Sequence, residues 1–131
     1  MYFKIKVNQT IVTENNKYKQ VTEYYLTEGE HFAEAGYKVI NLLGKDVEVE
    51  DICMMKTLKP AANEYNINDK IFIVKIAEDI YDDGLIKTAK YPMVVFAKNS
   101  DDVYKIMKEY ISQGFESMRI TTISETKWLW I

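Results

Sequence analysis

The sequence is poor in the residues on which most metal and cofactor sites depend. Its 131 residues include one cysteine, Cys53, and one histidine, His31. A single cysteine cannot form an intramolecular disulfide, and this pair cannot supply the four ligands of a structural zinc site. The five glycines are scattered, and none belongs to a phosphate-binding loop of the Walker or Rossmann type. We therefore expect no metal and no cofactor.

Arginine and long apolar runs are also scarce. Arg119 is the one arginine among the 17 basic residues, and arginine is the residue that best reads guanine in a DNA duplex. The net charge is −3, so no overall positive field attracts nucleic acid. No apolar run approaches the ~20 residues of a membrane helix, and the first residues lack the apolar core of a signal peptide. These features predict a soluble cytoplasmic protein that does not bind membranes.

The acidic stretch Glu78–Gly84 does not fit a calcium-binding loop. Counted from Asp79, the third position of such a loop is Tyr81 and the twelfth is Lys90, and neither supplies the required carboxylate. We interpret the stretch as a hairpin turn. The chain also contains no Gly-x-Ser-x-Gly motif and no convergent set of acid–base groups, so we predict that it is not an enzyme.

What the sequence does contain is an internal repeat. Short segments match in the same order at offsets of 69, 67, 67 and 71 residues. Four ordered matches indicate a duplicated unit of roughly 60 residues. The matching pairs are Phe3–Val7 with Phe72–Ile76, Glu23–Leu26 with Lys90–Met93, Tyr37–Ile40 with Tyr104–Met107, and Val49–Thr57 with Ile120–Trp128.

Each half of the repeat has the pattern strand, strand, helix, strand. Alternating apolar residues predict the strands, and apolar residues at helical spacing predict one helix in each half. We expect the first helix to begin with a capping box at Thr27–Glu30. We expect the last strand to run from Met118 to Leu129.

Interrupted patterns in three strands carry further expectations. Alternation breaks between Val49 and Ile52 and again between Ile120 and Ile123, which predicts a bulge in the third strand of each half. Pro92 cannot donate to a sheet ladder, so its strand should be an edge or bulged there.

The fold class that follows is α+β. We predict a duplicated strand-strand-helix-strand unit with antiparallel sheets and with the helices packed on one face. The two halves are residues 1–58 and 70–131, and a linker at 59–69 joins them within one compact domain.

Four segments carry a resemblance to a known family: Val21–Leu26, Val47–Ile52, Asp69–Ile76 and Ile123–Trp128. Through them the whole chain resembles a family of small domains of unknown function found in Bacteroidetes and in their phages, including crAss-like phages. The resemblance supports the fold plan and implies a phage or mobile-element origin, hence the cytoplasm of the host cell. It brings no catalytic residues.

Lysines and tyrosines on the predicted strands form the pattern that best indicates a ligand. Proteins that bind single-stranded nucleic acid combine lysines for the phosphates with aromatic rings on which bases stack. Outward lysines also protect strand edges and keep proteins soluble, so this alternative stays open. The candidate nucleic-acid-binding residues are Tyr2, Lys4, Lys6, Lys17 and Lys19 in the first half and Lys75, Lys87, Lys90 and Tyr91 in the second.

Other binding functions fit the same composition. The ten tyrosines suit protein interfaces and ligand pockets. The alternatives are an accessory protein that binds a host or phage protein, one that sequesters a small signalling ligand to blunt host defence, and a structural or assembly component.

The final residues are apolar on both sides of the predicted strand. Trp128 and Trp130 point to one face, and Leu129 and Ile131 point to the other. A surface strand needs only one buried face. We therefore predict that Trp128, Trp130 and Ile131 pack against a second copy of the chain in a homo-oligomer; burial within the monomer is the alternative.

Overall fold

The computed structural model describes residues 1–44, 46–57, 63–114 and 117–131. Within these ranges the chain is an α+β protein with seven strands and two helices, so the predicted fold class is confirmed at this level. The strands are β1 (Tyr2–Val12), β2 (Tyr18–Glu28), β3 (Val47–Thr57), β4 (Lys70–Asp82), β5 (Leu85–Ala97), β6 (Met118–Glu125) and β7 (Leu129–Trp130), and the helices are α1 (Phe32–Leu43) and α2 (Ser100–Ser112).

The chain divides into two compact units. The first comprises Met1–Met55 together with Lys127–Ile131, and the second comprises Lys56–Thr126. The last residues thus belong with the first unit. The linker at 59–69 stays a prediction, and its residues 59–62 lie outside the described ranges.

The first unit has the strand order β3-β1-β2-β7, with α1 packed on one face. Strand β1 is central and pairs antiparallel with both β2 and β3. Alternate residues of β1 point toward α1, and Phe3, Ile5 and Val7 are at most 1% exposed. Ala35 and Val39 of α1 complete this core. The other face of the same sheet is therefore left to the intervening residues of β1.

The second unit has the strand order β6-β4-β5, and α2 packs on one face. Strand β4 is central and pairs antiparallel with both neighbours. The last two residues of β3, Lys56 and Thr57, belong to this unit and pair in parallel with β5. Phe72, Val74 and Ile76 point toward α2 and are at most 2% exposed.

The bulges predicted in the third strand of each half are confirmed. In the first unit the register shifts after Lys6 of β1 and leaves Glu50 of β3 as the extra residue. In the second unit the register shifts after Lys75 of β4 and leaves Thr121 of β6 as the extra residue. Both shifts allow the apolar residues on either side to face the core despite their odd spacing.

The predicted last strand is wrong in its extent. Strand β6 ends at Glu125, and the backbone N–H and the hydroxyl of the next residue, Thr126, both donate to the carbonyl of Ile71, at 3.0 and 2.8 Å. The next residues form β7, which pairs in parallel with Tyr25 and Leu26 of β2. With the short parallel pairing of β3 and β5, this corrects the expectation of purely antiparallel sheets.

The predicted capping box of α1 is also wrong. Strand β2 continues to Glu28, so Thr27 lies in a strand, where it is fully buried. The helix begins at Phe32, and its N-cap is His31, whose side chain makes no capping hydrogen bond. The carboxylate of Glu34 instead reaches back to the N–H of Glu30, at 2.8 Å.

Candidate functional site

The sheet face of the first unit that points away from α1 carries a cluster of aromatic and basic side chains. Because Phe3 and Ile5 point toward α1, the alternate residues Tyr2 and Lys4 point to the opposite side. Tyr24 joins this side from β2, where it lies beside the Lys6 position of β1. We call Tyr2, Lys4, Tyr24, Trp128 and Trp130 the aromatic face.

The ammonium group of Lys4 lies between two aromatic rings. Its Nζ is 4.7 Å from the ring centroid of Tyr24 and 4.7 Å from that of Trp128. Both distances are within the range of cation–π attraction, for which tryptophan is the best partner. None of the ion pairs found in the described part of the chain involves Lys4. Its positive charge is therefore held in place by rings rather than cancelled by a carboxylate.

Trp130 extends the aromatic face along β1. Its ring centroid lies 5.7 Å from that of Tyr2, and the two planes are inclined at 50°. On the same face Leu26 is fully buried and Tyr2 is 8% exposed. Trp128 and Trp130 are each half-buried. Tilted aromatic rings thus cover part of this sheet face.

Trp128, Trp130 and Ile131, the residues predicted to contact a second copy, make contacts within the first unit. Trp128 and Trp130 contact the β1 residues Lys4 and Tyr2, which share one face, so the two tryptophans point to the same side as expected. Ile131 packs against the core under α1. The predicted interface between two copies at these residues stays a prediction.

The charge of Lys6 is paired, unlike that of Lys4. Its Nζ lies 3.1 Å from Oε2 of Glu50, the extra residue of the β3 bulge. The hydrogen bond to Glu50 raises the pKa of Lys6 above its ordinary value. On the neighbouring strand the exposed Cys53 lies 3.2 Å from Asp51 Oδ2, and this contact raises the pKa of the thiol. The thiol is therefore a poor nucleophile at neutral pH.

The other two candidates of the first half lie elsewhere. Lys17 lies in the turn between β1 and β2. Lys19 pairs with Ile11, on the side of the sheet that carries α1. Both side chains are exposed, and neither joins the aromatic face.

The candidates of the second unit divide between two faces. Lys75 alternates with the core residues of β4, and Lys90 pairs with Ala77, so both point away from α2. Lys87 and Tyr91 lie on the side that carries α2. The structure therefore does not bring these four residues together on one surface.

Tyr91 makes its own polar cluster. Its hydroxyl donates to Glu78 Oε2 at 2.8 Å, and Nζ of Lys56 lies 4.2 Å from its ring centroid. Burial, and then the bond to Glu78, raises the pKa of Tyr91 to about 12. The phenol is thus neutral at physiological pH and serves as a hydrogen-bond donor.

The sequence analysis did not select Tyr24 or assign Trp128 to this site. Tyr24 could have been found, because alternation with the core residue Tyr25 places it on the face of Lys4 and Lys6. Trp128 could not, because its position depends on the parallel pairing of β7 with β2, which no local pattern indicates.

Each unit has a cavity among its described residues. The first unit has an apolar groove of 330 Å³ between α1 and β3, lined by Phe32, Ala33, Gly36, Tyr37, Ile40 and Ile52 among others. The second unit has a polar cavity of 410 Å³ at the start of α2, lined by Asn63, Glu64, Asp69, Lys98, Asp102 and Lys105 among others.

The described ranges hold no group of three or more His, Cys, Asp or Glu side chains placed to bind a metal ion. Asp79, which lies in β4, pairs instead with Arg119 at 2.7 Å and accepts from Thr88 at 3.1 Å. None of the helices in these ranges is long and apolar enough to cross a membrane.

Comparison with protein families gives a match over the whole chain. The profile described as "Domain of unknown function (DUF4494)" matches residues 1–131. No curated protein matches the chain.

Proposed function

Since the chain belongs over its full length to the family described as a domain of unknown function, DUF4494, we propose a function from geometry: it binds single-stranded nucleic acid on the aromatic face. The observation that carries the proposal is the position of Lys4 between the rings of Tyr24 and Trp128. Bases stack on aromatic rings, and a lysine among those rings is within reach of the phosphates of a bound strand.

Single strands suit this face better than a duplex. Stacking requires exposed base faces, which a duplex does not offer along its length. The lone arginine, Arg119, is paired with Asp79 and belongs to the second unit, so the aromatic face has no arginine for guanine edges. Lys6 is paired with Glu50. We therefore expect stacking to contribute most of the affinity and salt to weaken binding only moderately.

We also infer that the two units arose by duplication and that only the first kept or gained the site. Support comes from the shared strand order and from register shifts at positions 69 residues apart, after Lys6 and after Lys75. The residues at that offset from Tyr2 and Lys4 are Ile71 and Ile73. The second unit therefore lacks the aromatic and basic pair at the corresponding place.

A protein partner is the second candidate function, and one observation favours it. The groove between α1 and β3 is apolar, and Phe32 and Tyr37 on its rim are 53% and 65% exposed. Exposed apolar surface of this kind often marks protein contacts. The groove lies on the side of the first unit opposite the aromatic face, so the two functions are separable by mutation.

The proposed function is that of a binding protein rather than an enzyme. We propose that the protein acts in the cytoplasm of its cell or, if a phage encodes it, in the cytoplasm of the host cell. The family match supports neither a Bacteroidetes nor a phage source, and that source stays a prediction.

Intrinsic fluorescence tests the proposal directly, because both tryptophans of the chain lie on the aromatic face. Titration with a single-stranded oligonucleotide of mixed sequence at low salt should quench the fluorescence and give a dissociation constant of about 1–50 μM, from about one to two stacked bases plus phosphate contacts. Trp128→Ala should weaken binding, followed by anisotropy of a labelled strand, by at least about ten-fold.

Tyr37→Ala provides a matched control, since it removes an exposed aromatic ring from α1 rather than from the aromatic face. It should leave binding unchanged. Two results would contradict the proposal. One is the absence of binding at about 50 μM protein, the upper end of the expected range of dissociation constants. The other is equal affinity of wild type and Trp128→Ala for the strand. Loss of binding in Tyr37→Ala instead would indicate that the strand binds at the groove between α1 and β3.

A further inference from the structure

Most of the outer edge of β2 is open. The strand has 11 residues, but β7 pairs only with Tyr25 and Leu26. Across the described ranges, no strand pairs with this edge from Tyr18 to Glu23, whereas the carbonyl of Tyr24 accepts from β7 in the Tyr25–Leu129 pairing. An open edge of this length presents unpaired N–H and C=O groups and is a template for another strand.

Two hydrogen bonds show which residues of β2 present these groups. Thr13 N donates to Lys17 O at 2.8 Å, so odd-numbered residues of β2 direct their backbone groups toward β1. Ile131 N donates to Leu26 O at 3.0 Å, so even-numbered residues direct theirs outward. The outward residues of the open stretch are Tyr18, Gln20 and Thr22, and the N–H of Tyr24 also points outward.

The charges on this edge are arranged symmetrically about Val21. Lys19 precedes it by two residues and Glu23 follows it by two, so both side chains lie on the same face of the sheet. Lys19 is exposed, and Glu23 is held in place by hydrogen bonds to its Oε2 from Tyr25 (2.5 Å) and Gln9 (3.0 Å). A second β2 running antiparallel and centred on Val21 places Lys19 opposite Glu23 of the partner subunit, and the reverse, which gives two ion pairs.

Other registers lose these pairs. Centring the contact on Gln20 places Lys19 opposite Val21, and centring it on Thr22 places Glu23 opposite Val21. Centring on Val21 also satisfies the backbone, because Gln20 and Thr22 then form hydrogen-bonded pairs on either side of a non-hydrogen-bonded one. Centring on Gln20 or Thr22 brings outward residues opposite each other as well, so the charges, and not the backbone direction, select this register.

We infer that this edge is the contact between two copies of the chain, which join their first-unit sheets through an antiparallel β2–β2 pairing centred on Val21. The contact is isologous, since each copy uses the same residues. It gives a partner to Tyr18, which is 81% exposed in the single chain and would lie opposite Tyr24 of the second copy. About six backbone hydrogen bonds would form across the pairing, because the carbonyl of Tyr24 is already bonded to β7.

The corresponding edge of β5 offers no such contact. It is open from Leu85 to Pro92 among the described residues, because β3 pairs only with Met93 and Val94. This stretch carries Lys87, Lys90 and no acidic residue, and it ends at a proline. Like charges and proline are the features that prevent edge strands from associating. The edge of β2 lacks both protections.

The test is the mass of the intact chain in solution, measured by light scattering and by sedimentation. Wild type should have twice the 15.4 kDa mass of one chain at a concentration of about 100 μM. Thr22→Pro should be monomeric, because it removes an outward N–H that has no ladder partner in the single chain and places the ring in the path of the second strand. Circular dichroism would check that this variant is folded.

Lys19→Glu keeps the test decisive if Thr22→Pro does not fold. It places like charges opposite each other and should raise the dimer dissociation constant at least about ten-fold. Lys87→Glu makes the same change on the edge of β5 and should have no effect. The inference would be overturned if wild type were monomeric at about 100 μM. It would also be overturned if neither β2 substitution changed the dissociation constant of the dimer. Dissociation by Trp128→Ala alone would assign the contact to the tryptophans instead.

Discussion

Tyr25 shows how a single residue links burial to pH dependence. The side chain is 5% exposed, and its hydroxyl donates to Glu23 at 2.5 Å. Burial, and then the bond to the Glu23 carboxylate, raises the pKa of Tyr25 to about 12. Both effects favour the neutral phenol of the folded state over the phenolate.

We predict that this tyrosine makes the protein less stable above pH 10. The unfolded phenol has a pKa of about 10, so the contribution of Tyr25 is fully present below pH ~10 and is lost as the pH rises toward 12. Urea denaturation at about pH 9 and 11.5 should show a loss attributable to Tyr25 of about 1 kcal/mol or more in the free energy of unfolding. Tyr25→Phe should lose correspondingly less over this interval.

Lysines also titrate in this range, so the comparison between variants carries the result. Tyr37→Phe, which alters an exposed tyrosine of α1, should behave as wild type does. If the free energy of unfolding depended on pH identically in wild type and Tyr25→Phe, the bond to Glu23 would make no contribution to stability.

At the scale of elements, the two helices begin differently. The side chain of Asn99 caps α2 by accepting from the N–H of Asp102 at 2.9 Å. At the same position of α1, His31 has the extended backbone of an N-cap but makes no capping bond. Helix α1 therefore starts with an N–H group that a capping side chain could satisfy.

We predict opposite effects on stability from removing the cap of α2 and adding one to α1. Asn99→Ala should lower the free energy of unfolding by about 1 kcal/mol, and His31→Asn should raise it by about 0.5–1 kcal/mol. Urea denaturation at neutral pH measures both. If His31→Asn did not change the free energy of unfolding, the bond from Glu30 N to the carboxylate of Glu34 would already stabilise the start of α1.

Local patterns predicted the elements well and their ends poorly. The bulges at Glu50 and Thr121 were predictable, because a break in alternation is visible in a few consecutive residues. Pro92 likewise lies on β5 just before its pairing with β3, in an edge stretch as predicted. The start of α1 was not predictable from the Thr27–Glu30 pattern, because the strand pairing of β2 extends through Thr27 and takes precedence over the local motif.

The candidate site was predictable to the extent that it depends on one strand. Tyr2 and Lys4 share a face by simple alternation, and the structure places them together. The lysines of the second unit were grouped by composition, but register places Lys75 and Lys90 on the face opposite Lys87 and Tyr91. Faces shared between strands depend on register, which a single sequence does not specify.

At the scale of the whole molecule, the segment Lys127–Ile131 completes the first unit. Its tryptophans cover the sheet face that contains the buried Leu26, and the hydroxyl of Thr27 donates to Ile131 O at 3.1 Å. The backbone of Ile131 bonds to Leu26. No local feature of the sequence could place this segment, because its partners in β2 lie about 100 residues earlier in the chain.

We predict that deleting Trp128–Ile131 destabilises the first unit by about 3 kcal/mol or more. The deletion exposes Leu26 and part of Tyr2 and leaves the buried Thr27 hydroxyl with only its longer contact to Glu28 O, at 3.4 Å. Hydrogen exchange should show faster exchange in β1 and β2 than in wild type, with β4 and β5 much less affected. Equal protection in the two proteins would mean that the segment covers the sheet without supporting it.

The return of residues 127–131 to the first unit also sets an order for folding during synthesis. Met1–Met55 are translated before Lys56–Thr126, yet the strand and the tryptophans that complete their sheet are translated after both. The second unit is contiguous and can fold as soon as it has emerged. The sheet of the first unit therefore stays incomplete, with Leu26 exposed, while more than half of the chain is translated.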